Sequence, residues 1–342
     1  MNKTLNTARG IVKALAAGSM IVGVAGCSGH DDAQSDTQAN KFTILTNWYA
    51  QAEHGGFYQA QAEGLYKKAG LNVNIRMGGP QINPSQLLAA GKAQCAITND
   101  DISTMSAIQQ GVPITIVATS FQRVPLALIA HSDVTDFNQL KTRTILLAED
   151  ARQAIWPWLQ KDKGFNKTQT RPYTFNVQPF MASDQVAQQG YVTSEPYAIQ
   201  QAGGKFKVFP LGQEGYPSYG NVISCRNEVI KQHPQQVEAF IHASMQGMKD
   251  YLANPAQGNA LIQKANPNMS SGQLAYGISQ LKETGLVEGG DAATQGIGVI
   301  TPQRLQASWN LAKEVGLVKA NTDVSLNQVY TTKFIDQHPV LP

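Results

Sequence analysis

The sequence predicts an α/β protein of two lobes, each a mostly parallel sheet flanked by helices, with a helical C-terminal part. Three observations carry that expectation. From Phe42 onward, short apolar runs alternate with amphipathic segments that end at glycine, which is the rhythm of βαβ units. A second block with the same rhythm begins near Leu128. From "NVISCRNEVIKQHP" onward the pattern turns helical. A chain that builds one lobe, crosses to a second and returns has two crossings, expected near 127–132 and 220–226.

In the first block, "KFTILTNW" is a short apolar strand. "GGFYQAQAEGLYKKAG" predicts a helix. Tyr58, Ala62, Leu65 and Tyr66 share one face, Lys67 and Lys68 suit the last turn, and Gly70 ends it. "LNVNI" alternates as a strand. In "NPSQLLAAG", Asn83 is the N-cap, Pro84 takes the first helical position and Gly91 terminates the helix. "AQCAIT" is a strand, "DISTMSAIQQG" a helix stopped at Gly111, and "VPITIVATS" a strand.

In the second block, "TDFNQL" suits a short helix and "RTILLA" a strand. "DARQAIWPWLQKDKG" is a helix broken or entered at Pro157, "YTFNV" a strand and "SDQVAQQG" a short helix. "YVTSEPYAIQQAGG" begins as a strand and becomes helical after Glu195-Pro196. Further helices are expected at 234–253, 256–265, 270–284 and 301–315. The first lobe is thus expected over 41–128, the second over 129–222, and a return to the first, with C-terminal helices, over 223–342.

The N-terminus reads as an export signal. Lys3, Arg9 and Lys13 precede the apolar run "ALAAGSMIVGVAG", which is too short and glycine-rich for a comfortable membrane span. It ends in "VAGC", a small residue before Cys27, which resembles a bacterial lipoprotein signal over 1–27 with Cys27 as the lipidated residue. Residues 28–40, "SGHDDAQSDTQAN", are polar and aperiodic and read as a flexible tether. The expected location is the bacterial cell envelope, with the lipid holding the protein to a membrane.

The formal net charge is +3 and no Lys/Arg block stands out, so nucleic acid is not an expected partner. Besides Cys27 there are only Cys95 and Cys225. Each sits in a strand-like apolar run, and both a disulfide and two buried thiols remain open. Without CxxC or a Cys/His cluster, no metal site is expected. No phosphate-binding loop, GxSxG, HExxH or dinucleotide fingerprint is present. Glu53 and His54 are neighbours, and neighbours on a helix do not face each other. No catalytic residue is therefore assigned.

In α/β sheets, ligands sit outside the carboxyl ends of the strands. Those ends carry Asn47 and Trp48, then Asn99 and Asp100, then Glu149 and Asp150, then Ser194 and Glu195. Trp48 and Tyr49 offer rigid aromatic platforms for a flat ligand. Gly55 lies at a helix start, where free N–H groups accept a polar oxygen. Asn99, Asp100, Glu149 and Asp150 double as helix N-terminal residues. Tyr197 follows Glu195, and Tyr216 and Tyr219 lie beside the second crossing, placed to close over a ligand. Trp156 and Trp158 read mainly as packing.

"NWYAQAEHGGFYQAQAEGLYKKAGLNVNI", "NPSQLLAAGKAQCAI" and "YVTSEPYAI" together resemble the THI5/NMT1-like (SsuA/THI5) group of solute-binding proteins. The most specific part is W-x-x-x-x-x-H-x-G, Trp48 to Gly56. The resemblance implies a two-lobed periplasmic binding protein fold (type II). It implies an ABC importer component, without cofactor, that hands a small solute to permease and ATPase subunits, as a monomer. Characterised ligands of the group include thiamine-pyrimidine precursors. Carried over, Trp48 would stack on a heteroaromatic ring, His54 would line the pocket and Glu195 would accept a ring amino group. The chain departs from the group at Ala50-Gln51, where Pro-Asn is common, and at "AEDARQ", whose Glu149 and Asp150 would repel a phosphate. Two alternatives accompany this reading. One is a binding protein for an aliphatic sulfonate, taurine or nitrate. The other is an enzyme like the group's pyrimidine synthases, which consume their own histidine with pyridoxal phosphate, making His54 a substrate.

Overall fold

The computed structural model describes residues 40–79, 82–174, 176–321 and 323–342. The expected signal, Cys27 and the tether up to residue 39 lie outside the described residues.

Ten strands form two five-stranded sheets. The first contains β1 (Lys41–Leu45), β2 (Asn72–Arg76), β3 (Cys95–Asp100), β4 (Ile114–Phe121) and β10 (Gly220–Arg226), in the order β2-β1-β3-β10-β4. The second contains β5 (Leu126–His131), β6 (Thr144–Leu147), β7 (Thr170–Pro172), β8 (Val186–Tyr191) and β9 (Phe206–Pro210), in the order β7-β6-β8-β5-β9. One strand in each sheet runs against the other four, β10 in the first and β5 in the second. That reversed strand starts at the edge where the parallel strands end. Each lobe therefore presents carboxyl ends and one amino end to the same rim.

The chain passes between the sheets at 122–125 and returns at 211–219, several residues before the crossings the sequence predicts. The difference arises because Leu126 and Ala127 already pair with Tyr191 and Gly190 as the first rungs of β5, and Gly220 with Asp100 as the first rung of β10. The "NVISC" run is thus strand before the helical part begins. The later helices fall at Pro234–Ala253, Ala256–Ala265, Ser271–Glu283 and Pro302–Glu314, close to expectation.

Three local readings are corrected. The helix expected from Gly55 to Gly70 is two, Gly55–Ala62 and Leu65–Lys68, because Gly64 sits at φ +70° between them. The described residues of "YTFNV" are not strand; the pairing with β6 is made upstream by Thr170–Pro172. "SDQVAQQG" is not a helix but supplies most of β8, the central strand of the second sheet. β6 and β5 satisfy its backbone on both sides, and tertiary pairing of this kind overrides a weak local helical preference. Gly190 within it leaves no room for a side chain, since a Cβ there would fall 2.5 Å from Ile129 Cδ1.

The outer face of the first sheet is packed by aromatics that stack on Phe240 of helix Pro234–Ala253. Phe42 lies 4.6 Å and Tyr66 5.7 Å from its ring centre. That helix approaches helix Gly55–Ala62 through a glycine contact, where a Cβ on Gly247 would meet the Gly56 carbonyl oxygen at 2.3 Å. A second apolar cluster runs continuously from Met105 and Ile116 in the first lobe, through Tyr216 and Tyr219, to Trp158 and Ile145 in the second. No described helix is long and apolar enough to cross a membrane.

Cys95 and Cys225 form a disulfide between directly paired residues of β3 and β10, with a sequence separation of 130. Closing a loop of that length restricts the unfolded chain, and removing such a bond costs about 2–5 kcal/mol. Cys95→Ala/Cys225→Ala is expected to lower unfolding free energy by that amount in a denaturant titration under oxidising conditions. Equal stability of the two proteins would show that the bond contributes nothing.

Candidate functional site

The rim of the first sheet is organised by Asn47, the second residue after β1. Its amide nitrogen donates to Asn99 Oδ1 at 2.7 Å and to Asn221 Oδ1 at 3.2 Å. Its amide oxygen must then accept the 3.0 Å bond from His54 Nε2, which places the imidazole proton on Nε2. His54 is 1% exposed. Burial pulls its pKa down to about 4, against a weaker upward effect of the Tyr49 backbone, so it is neutral at physiological pH. Asn221 takes positive φ, +47°, unusual for a residue other than glycine. Its Oδ1 also accepts from the Tyr191 hydroxyl of the opposite lobe at 3.3 Å.

Trp48 follows Asn47, and its carbonyl accepts from Thr46 Oγ1 at 2.7 Å. Trp48 lines a cavity between the lobes together with Gln51, Asn99 and Asp100 from the first lobe. Gln189, Tyr191 and Glu195 face in from the second lobe, and Val124, Leu126 and Ile155 add apolar wall. The cavity encloses ≈ 40 Å³, room for a few waters but not for an aromatic ring. A ring enters only if the lobes part or side chains turn.

Glu195 is the first residue of helix Glu195–Gln201. Its Oε2 accepts from the Tyr191 backbone N–H at 2.7 Å and its Oε1 from the Tyr173 hydroxyl at 3.2 Å. Burial pushes its pKa up to about 7 despite these donors, and the nearby Glu53 carboxylate adds to the rise. Glu53, also raised by burial, accepts a hydrogen bond from the Thr193 hydroxyl and so links the lobes. Helix Ser271–Glu283 packs over the same junction. Tyr276 donates to the Val192 carbonyl at 3.2 Å and Gln273 to the Ser194 carbonyl at 3.1 Å.

The structure therefore brings together Trp48, Asn99, Asp100 and Glu195 among the residues singled out from sequence. Asp100 also caps its helix, accepting from the Ser103 N–H at 2.6 Å. His54 lies behind the rim rather than on the cavity. Tyr49 is 40% exposed and packs edge-on against Trp48. Gly55 lies under Tyr251, where a Cβ would come within 2.0 Å of the ring. Glu149 pairs with Arg152 and lines a separate, wider groove. Tyr197 packs on Tyr276. Tyr219 lies beneath the Arg304 guanidinium, 3.8 Å from its ring centre. Trp158 packs on Tyr216, and Trp156 on Phe165.

Sequence reasoning missed Gln51, Gln189, Tyr191, Leu126 and Asn221. Asn221 and Leu126 lie at the starts of the reversed strands, second in β10 and first in β5, which a search of carboxyl ends alone passes over. Gln189 was hidden by the helical reading of β8.

Two mixed sheets with helices on their faces and a polar-rimmed cavity between them define the periplasmic binding protein fold. The E. coli periplasmic aliphatic sulphonate binding protein SsuA superposes with a TM-score of 0.62 at 13% identity, covering 89% of this chain and 94% of that one. Residues 51–258, more than half of the chain, match the family model "NMT1/THI5 like", and the chain belongs to that family. It is similar to the riboflavin-binding protein RibY of Chloroflexus aurantiacus, 24% identical over 303 residues, 86% of this chain and 85% of that protein. It is also similar to the 4-amino-5-hydroxymethyl-2-methylpyrimidine phosphate synthase of Schizosaccharomyces pombe, 24% identical over 241 residues, 64% and 67% respectively.

Because Glu195 titrates near 7 when folded and near 4.5 when unfolded, the folded state holds more protons between those values. Stability from this site therefore falls as pH rises from about 4.5 to 7, by roughly 3 kcal/mol in all. Asp101, raised by burial to about 6, acts in the same direction. Glu195→Gln is expected to flatten the melting-temperature profile between pH 5 and 8 relative to wild type. Parallel profiles would show that Glu195 does not titrate in this range.

Proposed function

We propose that the chain is the solute-binding component of an ABC importer and captures a small nitrogen heteroaromatic compound between its lobes, delivering it to permease and ATPase subunits. One observation carries the ligand class: Trp48 from one lobe and Glu195 from the other border the same buried cavity. An indole face stacks on a flat ring. A carboxyl group that titrates near 7 pairs with a ring amino group as carboxylate or donates to a ring nitrogen as acid. A pyrimidine related to thiamine precursors has both features. Asn47, His54 and Asn221 hold the rim, and lobe closure completes the site. Gln51, Asn99 and Tyr191 supply further polar contacts. A lipid on Cys27 would hold this monomeric receptor at the membrane, facing the periplasm or exterior.

The residue inventory argues against the other readings. Among the described lining residues of the cavity there is no Lys or Arg, and a sulfonate or nitrate there would face the Glu195 carboxyl group. The same set offers no lysine for a pyridoxal aldehyde and no cation for its phosphate, so that cofactor does not fit. His54, sealed behind the rim with its Nε2 held by Asn47, is poorly placed as a consumable substrate. A non-enzymatic receptor is the better account.

A thermal-shift panel of hydroxymethyl- and formylamino-pyrimidines, thiamine, riboflavin, nucleobases, taurine and alkyl sulfonates tests this, since a ligand of the folded state raises the melting temperature. A heterocycle is expected to shift it, and Trp48→Ala to weaken that ligand by about 1 kcal/mol or more. A response to sulfonates alone would overturn the ligand class while leaving the fold.

A further inference from the structure

Beside the Trp48 cavity runs a second, larger space of ≈ 460 Å³, walled by both lobes and sharing Asn99 with the cavity. Its first-lobe wall carries Asn83, Gln86, Thr98, Ser103, Ser106 and Gln110, and its second-lobe wall carries Gln153 on helix Glu149–Lys161. The wall is thus mostly hydroxyl and amide. Its one charged lining residue among the described residues, Glu149, is already engaged by Arg152 and Gln153. Three helices begin at the groove: Pro84–Ala89 and Asp101–Gln109 start under side-chain caps, and Glu149–Lys161 starts after Ala148 without one. Asn83 accepts from the Gln86 N–H at 3.1 Å and Asp100 from the Ser103 N–H. An anion would find no lysine or arginine among the described lining residues, and at the uncapped start of helix Glu149–Lys161 it would meet the Glu149 carboxylate.

We infer that this groove is a subsite for an uncharged, hydroxyl-bearing extension of the ligand ring, and that it discriminates against the same extension carrying a phosphate or sulfonate. The inference rests on the heteroaromatic reading of the Trp48 cavity. A wall of hydroxyl and amide groups suits a polyol, whose hydroxyls both give and accept hydrogen bonds. A terminal dianion would lose its hydration and meet the Glu149 carboxylate. Because Gln86 and Gln153 come from different lobes, a bound chain would also bridge them.

Three flavins form a matched probe series: lumiflavin is the ring alone, riboflavin adds a neutral polyol, and flavin mononucleotide adds a phosphate to that polyol. Calorimetric titration of the purified protein is expected to show riboflavin binding at least about tenfold tighter than lumiflavin, equivalent to one or two net hydrogen bonds. Flavin mononucleotide is expected to lose that advantage. Gln86→Leu/Gln153→Leu, two exposed positions, is expected to weaken riboflavin severalfold and leave lumiflavin unchanged. Equal affinity for riboflavin and lumiflavin, undiminished affinity for the phosphate, or an advantage that survives the double variant overturns the inference. So does binding of hydroxymethylpyrimidine with no flavin bound, which leaves the heteroaromatic reading intact. Binding of neither pyrimidine nor flavin defeats both.

Discussion

The buried amide of Asn47 is the constraint on which the rim of the first lobe depends. It bonds residues 52 and 174 positions away, Asn99 and Asn221, and accepts a hydrogen bond from His54 Nε2. Three strand ends that meet only in the folded state are thereby fixed to one another at the mouth of the cleft. In a low-dielectric setting such a network is strong when complete and costly when broken. Trp48 is the next residue along, so its position inherits that order. The Tyr191 hydroxyl reaches Asn221 from the second lobe, which makes the network responsive to the separation of the lobes.

Electrostatics set the character of the cleft as much as shape does. Glu53 and Glu195 are both buried and both raised by desolvation, while Arg304 stacks on Tyr219 away from the cavity lining. Burying two acids without a cation between them is expensive, and burial shifts both toward the neutral form. Groups held in that condition gain from any partner that brings donors or positive charge. The requirement is met by a ring with amino groups and is worsened by an anion.

Much of the architecture was legible because its signals are local. Asn83-Pro84 announced a helix start, Gly91 and Gly111 helix ends, and the C-terminal helices carried clear apolar periods. Trp48, Asn99, Asp100 and Glu195 were found because parallel strands point their ends at one edge. The remainder depended on distant partners. β8 contains "VAQQGY", whose strand form is imposed by neighbours on both sides. Gly55 looked like an anion contact, yet its conservation of space serves the Tyr251 ring. His54 belonged to the motif but turned inward to an asparagine that composition alone does not distinguish. The disulfide became evident only when β10 was seen lying against β3.

That disulfide has a topological consequence. Cys95 and Cys225 lie 130 positions apart in sequence, and the whole second sheet, from Leu126 to Pro210, lies between them. The second lobe is thus carried on a covalently closed loop that also includes helix Asp101–Gln109 and β4 of the first lobe and is clasped within the first sheet. A single protease cut anywhere in that loop leaves both fragments joined through the clasp, so the lobes stay tethered after a nick that would divide a linear chain.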